Sequence, residues 1–102
     1  MSRPTKLPGA EVDAWLAAHA GWERDGQGAI ARTFKLPDFA AALRFVVRVG
    51  LAAEKRDHHP DVELGFGRAR FLWTTHDAGG VTSLDLELAA ATDASFPAVA
   101  PA

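Results

Sequence analysis

The sequence predicts a single α+β domain in which three helices cover one face of a four-stranded antiparallel sheet. Runs of apolar residues at helical spacing are interspersed with runs in which apolar and polar residues alternate. Turn-forming segments join the alternating runs in pairs, which predicts two hairpins and the order α-β-β-α-β-β-α. The length of 102 residues suits one domain with one core, from about residue 7 to about residue 94 with frayed ends.

The first half of the chain predicts a helix followed by a hairpin. The helix is expected from Pro8 to Ala20, with Gly21 in the left-handed position that ends many helices. The segment "WERDGQGAIARTFKL" then predicts a hairpin around the turn "DGQG". Three apolar side chains of its second strand share one face with an arginine: Ile30, Arg32, Phe34 and Leu36.

A long second helix is predicted from Phe39 to Asp57, with the side chain of Asp38 as its N-terminal cap. Pro60 prevents the helix from continuing much further. The helix is apolar over most of its circumference, which predicts cover on both sides. After one face packs on the sheet, the opposite face still presents some of four apolar residues: Ala40, Ala41, Val47 and Leu51. Self-association through this helix, as a homodimer or homotetramer, is therefore expected.

The segment "DVELGFGRARFLWTT" predicts the second hairpin, with its turn at Gly67-Arg68. The segment "HDAGG" after it is expected to be a loop. The last helix is predicted from Ser83 to about Thr92, with Thr82 as N-cap and the acid of Asp85 completing a capping box.

Composition excludes several classes of partner. The net charge of −2 provides no basic face for nucleic acid or for an anionic membrane surface. The N-terminus has no apolar signal region, and no apolar run is long enough to span a bilayer. Without cysteine the chain needs no oxidising compartment. A soluble, cytoplasmic protein is expected.

Three of the four histidines fall in one stretch, "HHPDVELGFGRARFLWTTH", as His58, His59 and His76. One interpretation is structural, since histidines at the end of a helix interact well with its dipole. A metal site would need three or four converging ligands, and adjacent histidines point in different directions. An acid–base site is the third interpretation, because histidine exchanges protons near neutral pH. In that case Glu54 can share a helix face with His58 if the helix persists.

A wider pattern distinguishes these interpretations. An acid, three residues and His-His-Pro are followed by an aromatic residue, a distant histidine and a final aspartate: Glu54, His58, His59, Pro60, Phe66, His76 and Asp85. This pattern, with the flanking "HHPDVEL" and "TTHDAGGVTSLD", resembles the pterin-4a-carbinolamine dehydratases from about residue 7 to about residue 92. The resemblance implies the same α+β fold.

The resemblance also implies a function, namely dehydration of a 4a-hydroxytetrahydropterin to a quinonoid dihydropterin, without metal or cofactor. It implies that His58 and His76 are the acid–base residues and that His59 mainly contacts the substrate. Asp85 would orient His76, and Glu54 would accept hydrogen bonds from the pterin. Weaker candidates for lining the pocket are Asp57, Thr74 and Thr75.

Two further expectations follow from the resemblance. The reaction would recycle a cofactor that an aromatic amino acid hydroxylase has used, which implies a functional link to such an enzyme. The alternative function is non-catalytic, because some animal members stabilise a transcription-factor dimer through the second helix and some related proteins act as assembly factors.

Overall fold

A computed structural model describes residues 4–99 of the chain. It has the predicted fold class and the predicted order of helices and strands. The elements are α1 (Gly9–Ala18), β1 (Glu23–Arg24), β2 (Ile30–Lys35), α2 (Phe39–Lys55), β3 (Asp61–Gly65), β4 (Arg68–Trp73), a short 3₁₀ turn (His76–Ala78) and α3 (Ser83–Val99). All strand pairs are antiparallel, in the spatial order β1-β2-β4-β3.

The two central strands place their apolar side chains on the face that the helices cover. Because directly paired residues of antiparallel strands share a face, the register identifies that face as Ile30, Arg32 and Phe34 opposite Trp73, Phe71 and Ala69. Arg32 is tolerated there because its guanidinium lies 4.5 Å from the centre of the Phe34 ring and forms a 2.8 Å ion pair with Asp93 of α3. The guanidinium group of Arg32 therefore lies at the edge of the core, where it is partly exposed to solvent.

Aromatic rings hold the sheet against α2 and α3. The Phe45 ring of α2 packs edge to face on Phe34 and Phe71, with ring centres 4.9 and 5.1 Å apart. Phe96 of α3 completes this cluster, with its ring centre 5.1 Å from that of Phe34. The predicted end of the third helix near Thr92 was therefore wrong, since the packing of Phe96 makes a longer helix favourable. Residues 1–3 and 100–102 lie outside the described part of the chain.

Two other boundaries differ from the predictions. Helix α1 ends at Ala18, although Gly21 has the expected positive φ of 98°. The second hairpin turns at Phe66-Gly67, not at Gly67-Arg68, because Gly65 pairs with Arg68. Gly67 has a φ of 68°, and a Cβ there would lie 3.0 Å from the carbonyl oxygen of Leu36, so glycine is favoured as the second residue of this turn.

Helix α2 has one buried face and one exposed apolar face. The side chain of Asp38 caps its N-terminus by accepting a 2.8 Å hydrogen bond from the Ala41 N–H, as predicted. Ala41 is buried, so it does not lie on the exposed face of the helix, where it was one of the four residues considered. Four large apolar side chains at intervals of four residues form the α2 stripe: Phe39, Leu43, Val47 and Leu51. None of the helices between residues 4 and 99 is long and apolar enough to cross a membrane.

Candidate active site

The three clustered histidines lie around one cleft of about 300 Å³. Strands β3 and β4 are antiparallel neighbours, so the segment that enters β3 and the segment that leaves β4 meet at the same end of the sheet. The first segment contributes His58 and His59, and the second contributes His76. The full lining is His58, His59, Pro60, Asp61, Thr74, Thr75, His76 and Asp77.

The C-terminus of α2 determines the direction of His58. Hydrogen bonds from the His58 N–H to the Ala53 carbonyl (3.3 Å) and from the Asp57 N–H to the Glu54 carbonyl (3.1 Å) form a Schellman motif. Asp57 occupies its left-handed position with a φ of 49°, a conformation that aspartate tolerates better than most side chains. The helix thus ends at Lys55, before the predicted Asp57, and the predicted helix face shared by Glu54 and His58 does not form.

His58 is paired with a carboxylate inside the protein. Its Nε2 lies 2.5 Å from Oδ1 of Asp85, and the residues are only 5% and 0% exposed. The predicted pairing of Asp85 with His76 was therefore wrong. The first turn of α3 directs the Asp85 side chain into the interior, whereas His76 is exposed on the 3₁₀ turn.

The other oxygen of Asp85 accepts hydrogen bonds from two neighbours. The backbone N–H of Thr82 donates to Oδ2 at 2.9 Å, which confirms the predicted contact between the aspartate and the start of the last helix. The hydroxyl of Thr75 donates to the same oxygen at 2.8 Å. These bonds offset the cost of removing a carboxylate from water, which is several kcal/mol when no partner is present.

His59 and His76 are both exposed to solvent, in different settings. Nε2 of His59 lies 2.6 Å from Oε1 of Glu54, so Glu54 contacts His59 rather than His58. His76 follows Thr75, whose backbone forms two hydrogen bonds with Gly80 (3.1 and 3.3 Å). The His76 carbonyl accepts a 3.0 Å hydrogen bond from the Gly79 N–H, so the backbone of this turn is fixed. Between residues 4 and 99, no side chain forms a hydrogen bond with the His76 ring.

Comparisons with known proteins identify the family of the chain. The family model described as "Pterin 4 alpha carbinolamine dehydratase" matches residues 5–95. The chain belongs to this family. A relative from Chloroflexus aggregans, named as a candidate pterin-4-alpha-carbinolamine dehydratase, is 44% identical over 86% of this chain and 94% of its own. A Bradyrhizobium relative (strain ORS 278) with the same name is 52% identical over 78% of this chain and 81% of its own.

A solved structure agrees with this assignment, and a second one shares the fold. A crystal structure described as a transcriptional coactivator/pterin dehydratase from Brucella melitensis has a TM-score of 0.84 and 38% identity, covering 90% of this chain and 99% of that one. A pterin dehydratase-like RuBisCO assembly factor of the alpha-carboxysome has a TM-score of 0.64 at 19% identity, covering 76% and 92% of the two chains. The second likeness shows a shared fold alone.

In this carbinolamine dehydratase family member, the predicted candidates divide into those that line the cleft and those that support it. The three histidines, Thr74 and Thr75 line it directly. Asp85 lies behind His58, and Glu54 lies behind His59. Asp57 is exposed outside the lining, and its place is explained by the turn that follows α2. Phe66, the aromatic residue of the motif, is exposed in the second hairpin turn and is also outside the lining.

Two acidic residues of the cleft were not among the sequence candidates. Asp61 is the first residue of β3, and Asp77 directly follows His76. In the sequence, their position next to the histidine motif was the one indication that they belong to the site. Acids at strand ends and in loops are common for other reasons, so that position alone did not select them. Among the described residues, no three side chains of histidine or acids converge closely enough to hold a metal ion. The cleft combines imidazole rings in three different environments, and imidazole suits proton transfer near neutral pH.

Proposed function

We propose that the protein dehydrates a 4a-hydroxytetrahydropterin, forming a quinonoid dihydropterin and water by histidine acid–base catalysis. The observation that carries this proposal is the convergence of His58, His59 and His76 on one cleft in a member of the carbinolamine dehydratase family. The cleft volume of about 300 Å³ is within the lower range of small-ligand sites.

The chemistry requires one acid and one base. The hydroxyl on the 4a carbon accepts a proton from the acid, and the carbon–oxygen bond breaks as water leaves. The lone pair of the neighbouring ring nitrogen forms a double bond to that carbon, giving a cation. A base then removes a proton from another ring nitrogen, and the neutral quinonoid product results. Imidazole groups perform both proton transfers efficiently near neutral pH.

The contacts support a division of roles. His58 and His76 share the acid and base steps from the two sides of the cleft. Asp85 orients His58 through the 2.5 Å contact, and this replaces the expected orientation of His76. His59 contacts the substrate, and Glu54 directs its ring. Glu54 does not line the cleft, so the hydrogen bonds expected from the pterin to its carboxylate stay a prediction. The hydroxyl of Thr74 donates to the Gly28 carbonyl (2.9 Å), so Thr74 lines the cleft as a fixed wall.

Chelation tests the proposal and its metal-free character together. Purified protein treated exhaustively with a chelator should still convert a 4a-hydroxytetrahydropterin, with a rate within about twofold of untreated protein, because positioned histidines suffice. The quinonoid product is followed by its absorbance, with the spontaneous reaction as the blank. No acceleration before or after chelation would refute the dehydratase proposal. Acceleration that disappears on chelation and returns with zinc would refute the metal-free mechanism alone.

We further propose that the protein self-associates through the α2 stripe. Val47 and Leu51 are 49% and 64% exposed, and the stripe continues to Phe39 and Leu43. Soluble proteins usually cover an apolar surface of this kind. Burying each leucine-sized side chain completely contributes about 1.5–3 kcal/mol, so two symmetric copies can offset the entropy of association. A homodimer and a homotetramer both satisfy this argument.

A glutamate at position 47 should disrupt this assembly. Val47→Glu buries a charge without a partner, at a cost of about 3–5 kcal/mol, which corresponds to at least about 100-fold weaker association. Light scattering at micromolar concentration measures the result, and Ala17→Glu on the exposed surface of α1 is the matched control. A wild-type protein that is monomeric under these conditions would contradict the proposed self-association.

A second candidate function uses the same stripe for a different partner. An exposed apolar helix face favours a binding role, such as stabilisation of a transcription-factor dimer or assembly of another protein. The intact histidine cleft favours the enzyme as the primary function. As an enzyme, the protein acts in the cytoplasm and recycles the pterin released by an aromatic amino acid hydroxylase.

A further inference from the structure

Two buried threonines connect the start of α3 to the carboxylate that contacts His58. Thr75 and Thr82 are 2% and 0% exposed, and their hydroxyl oxygens lie 2.9 Å apart. The Thr75 hydroxyl also lies 2.8 Å from Oδ2 of Asp85, whereas the Thr82 hydroxyl is 3.4 Å from that oxygen. The sequence marked Thr75 only as a wall of the pocket, yet its hydroxyl bonds to groups behind the cleft.

Counting protons assigns a direction to each of these hydrogen bonds. A hydroxyl carries a single proton, so a Thr75 hydroxyl that donates to Asp85 must accept from Thr82. Oδ2 of Asp85 then accepts from the Thr75 hydroxyl and from the Thr82 backbone N–H. Two donors directed at one carboxylate oxygen leave no place for a proton there. Since an ionised carboxylate accepts hydrogen bonds and donates none, Oδ1 of ionised Asp85 is an acceptor as well, and the proton between Oδ1 and Nε2 belongs to His58.

We infer that Thr75 and Thr82 are positioning residues that fix His58 in the tautomer with its proton on Nε2. Each acts through Asp85, and neither is required to touch the substrate. The inference deepens the proposed dehydratase function and rests on it for its kinetic consequence, whereas the tautomer itself can be measured without turnover.

The arrangement also joins the two sides of the cleft. Thr75 directly precedes His76, and its backbone is held by the paired bonds to Gly80. Its side chain, through Asp85, holds His58 on the opposite side of the cleft. A displacement of this one residue would alter both histidines, and displacements of about 1 Å can reduce catalysis about 100-fold.

The kinetic test compares variants that keep or remove each hydroxyl. Thr75→Val and Thr82→Val should lower kcat about 10- to 100-fold with KM within about twofold, because partners behind a functional histidine have effects of this size. Thr75→Ser and Thr82→Ser keep the hydroxyl and should recover most of the loss. The matched control is Thr92→Val, another buried threonine, whose hydroxyl donates to the Leu88 carbonyl and accepts from the Trp73 indole N–H. Because the Trp73 ring stacks on His58 with centres 5.8 Å apart, this variant measures the effect of a packing change next to His58 that leaves the bonds to Asp85 in place.

Histidine NMR of the 15N-labelled protein provides the readout that a purely structural role would not change. Two-bond 1H–15N correlations should identify wild-type His58 as the Nε2–H form, and the valine variants at positions 75 and 82 should populate both tautomers. The inference is overturned if wild-type His58 carries its proton on Nδ1, or if the valine variants keep the Nε2–H form. It is also overturned if they lose no more kcat than Thr92→Val. If the wild-type protein does not dehydrate pterins, the proposed function fails, and the tautomer result alone decides this inference.

Discussion

Replacing His76 with alanine should lower the dehydration rate about 100-fold or more, the usual contribution of a positioned acid or base. The fold should remain intact, because His76 is exposed and no side chain of residues 4–99 hydrogen-bonds to its ring. Steady-state kinetics with a 4a-hydroxytetrahydropterin measure the loss, and circular dichroism with thermal unfolding checks the fold.

The matched control for this variant is His19→Ala. His19 lies at the end of α1, where its ring stacks on Trp15 with centres 3.8 Å apart, and it does not line the cleft. The His19→Ala variant should retain nearly the wild-type dehydration rate. Near wild-type turnover by His76→Ala would remove His76 from the mechanism, and equal losses in the two variants would point to a general effect of losing a histidine.

Replacing His58 with alanine should affect stability as well as activity. The change leaves the buried carboxylate of Asp85 without its closest partner, and removing one member of a buried pair costs about 3–5 kcal/mol. Denaturant unfolding measures the loss. His59→Ala is the control, because the exposed contact between His59 and Glu54 should be worth no more than about 1 kcal/mol.

A second change distinguishes this cause from a simple loss of packing. Adding Asp85→Asn to His58→Ala should recover part of the lost stability, because the amide has no charge to bury and its oxygen can still accept the bond from the Thr82 N–H. If His58→Ala is as stable as His59→Ala, or if the added asparagine gives no recovery, the buried pair does not have the energetic role assigned to it.

Much of the fold could be predicted because local signals agreed with one another. The cap at Asp38, the turn "DGQG" and the alternation of apolar residues in β2 and β4 all specify one arrangement. The wrong boundary at the end of α3 depends on tertiary contacts. The extra length of α3 follows from Phe96 packing on Phe34 and Phe45, and no local feature near Thr92 indicates it.

The clustering of the three histidines could be predicted, but the pairing of acids with histidines could not. That pairing depends on where α2 ends, and the left-handed residue there is Asp57, where a glycine would have been a clear signal. It also depends on which way Asp85 faces. A capping acid is usually expected at the surface, whereas this one is fully buried and its two oxygens serve the helix start and His58.

The proposed function requires that the pterin reacts in the cleft between the three histidines. Its most direct test is an NMR titration of 15N-histidine-labelled protein with a dihydropterin that lacks the 4a hydroxyl and cannot be dehydrated. We expect the ring signals of His58, His59 and His76 to shift together and saturate at one ligand per chain, while those of His19 stay unchanged. Binding that leaves these three rings unchanged, or that shifts only His19, would contradict the assignment of the cleft as the active site.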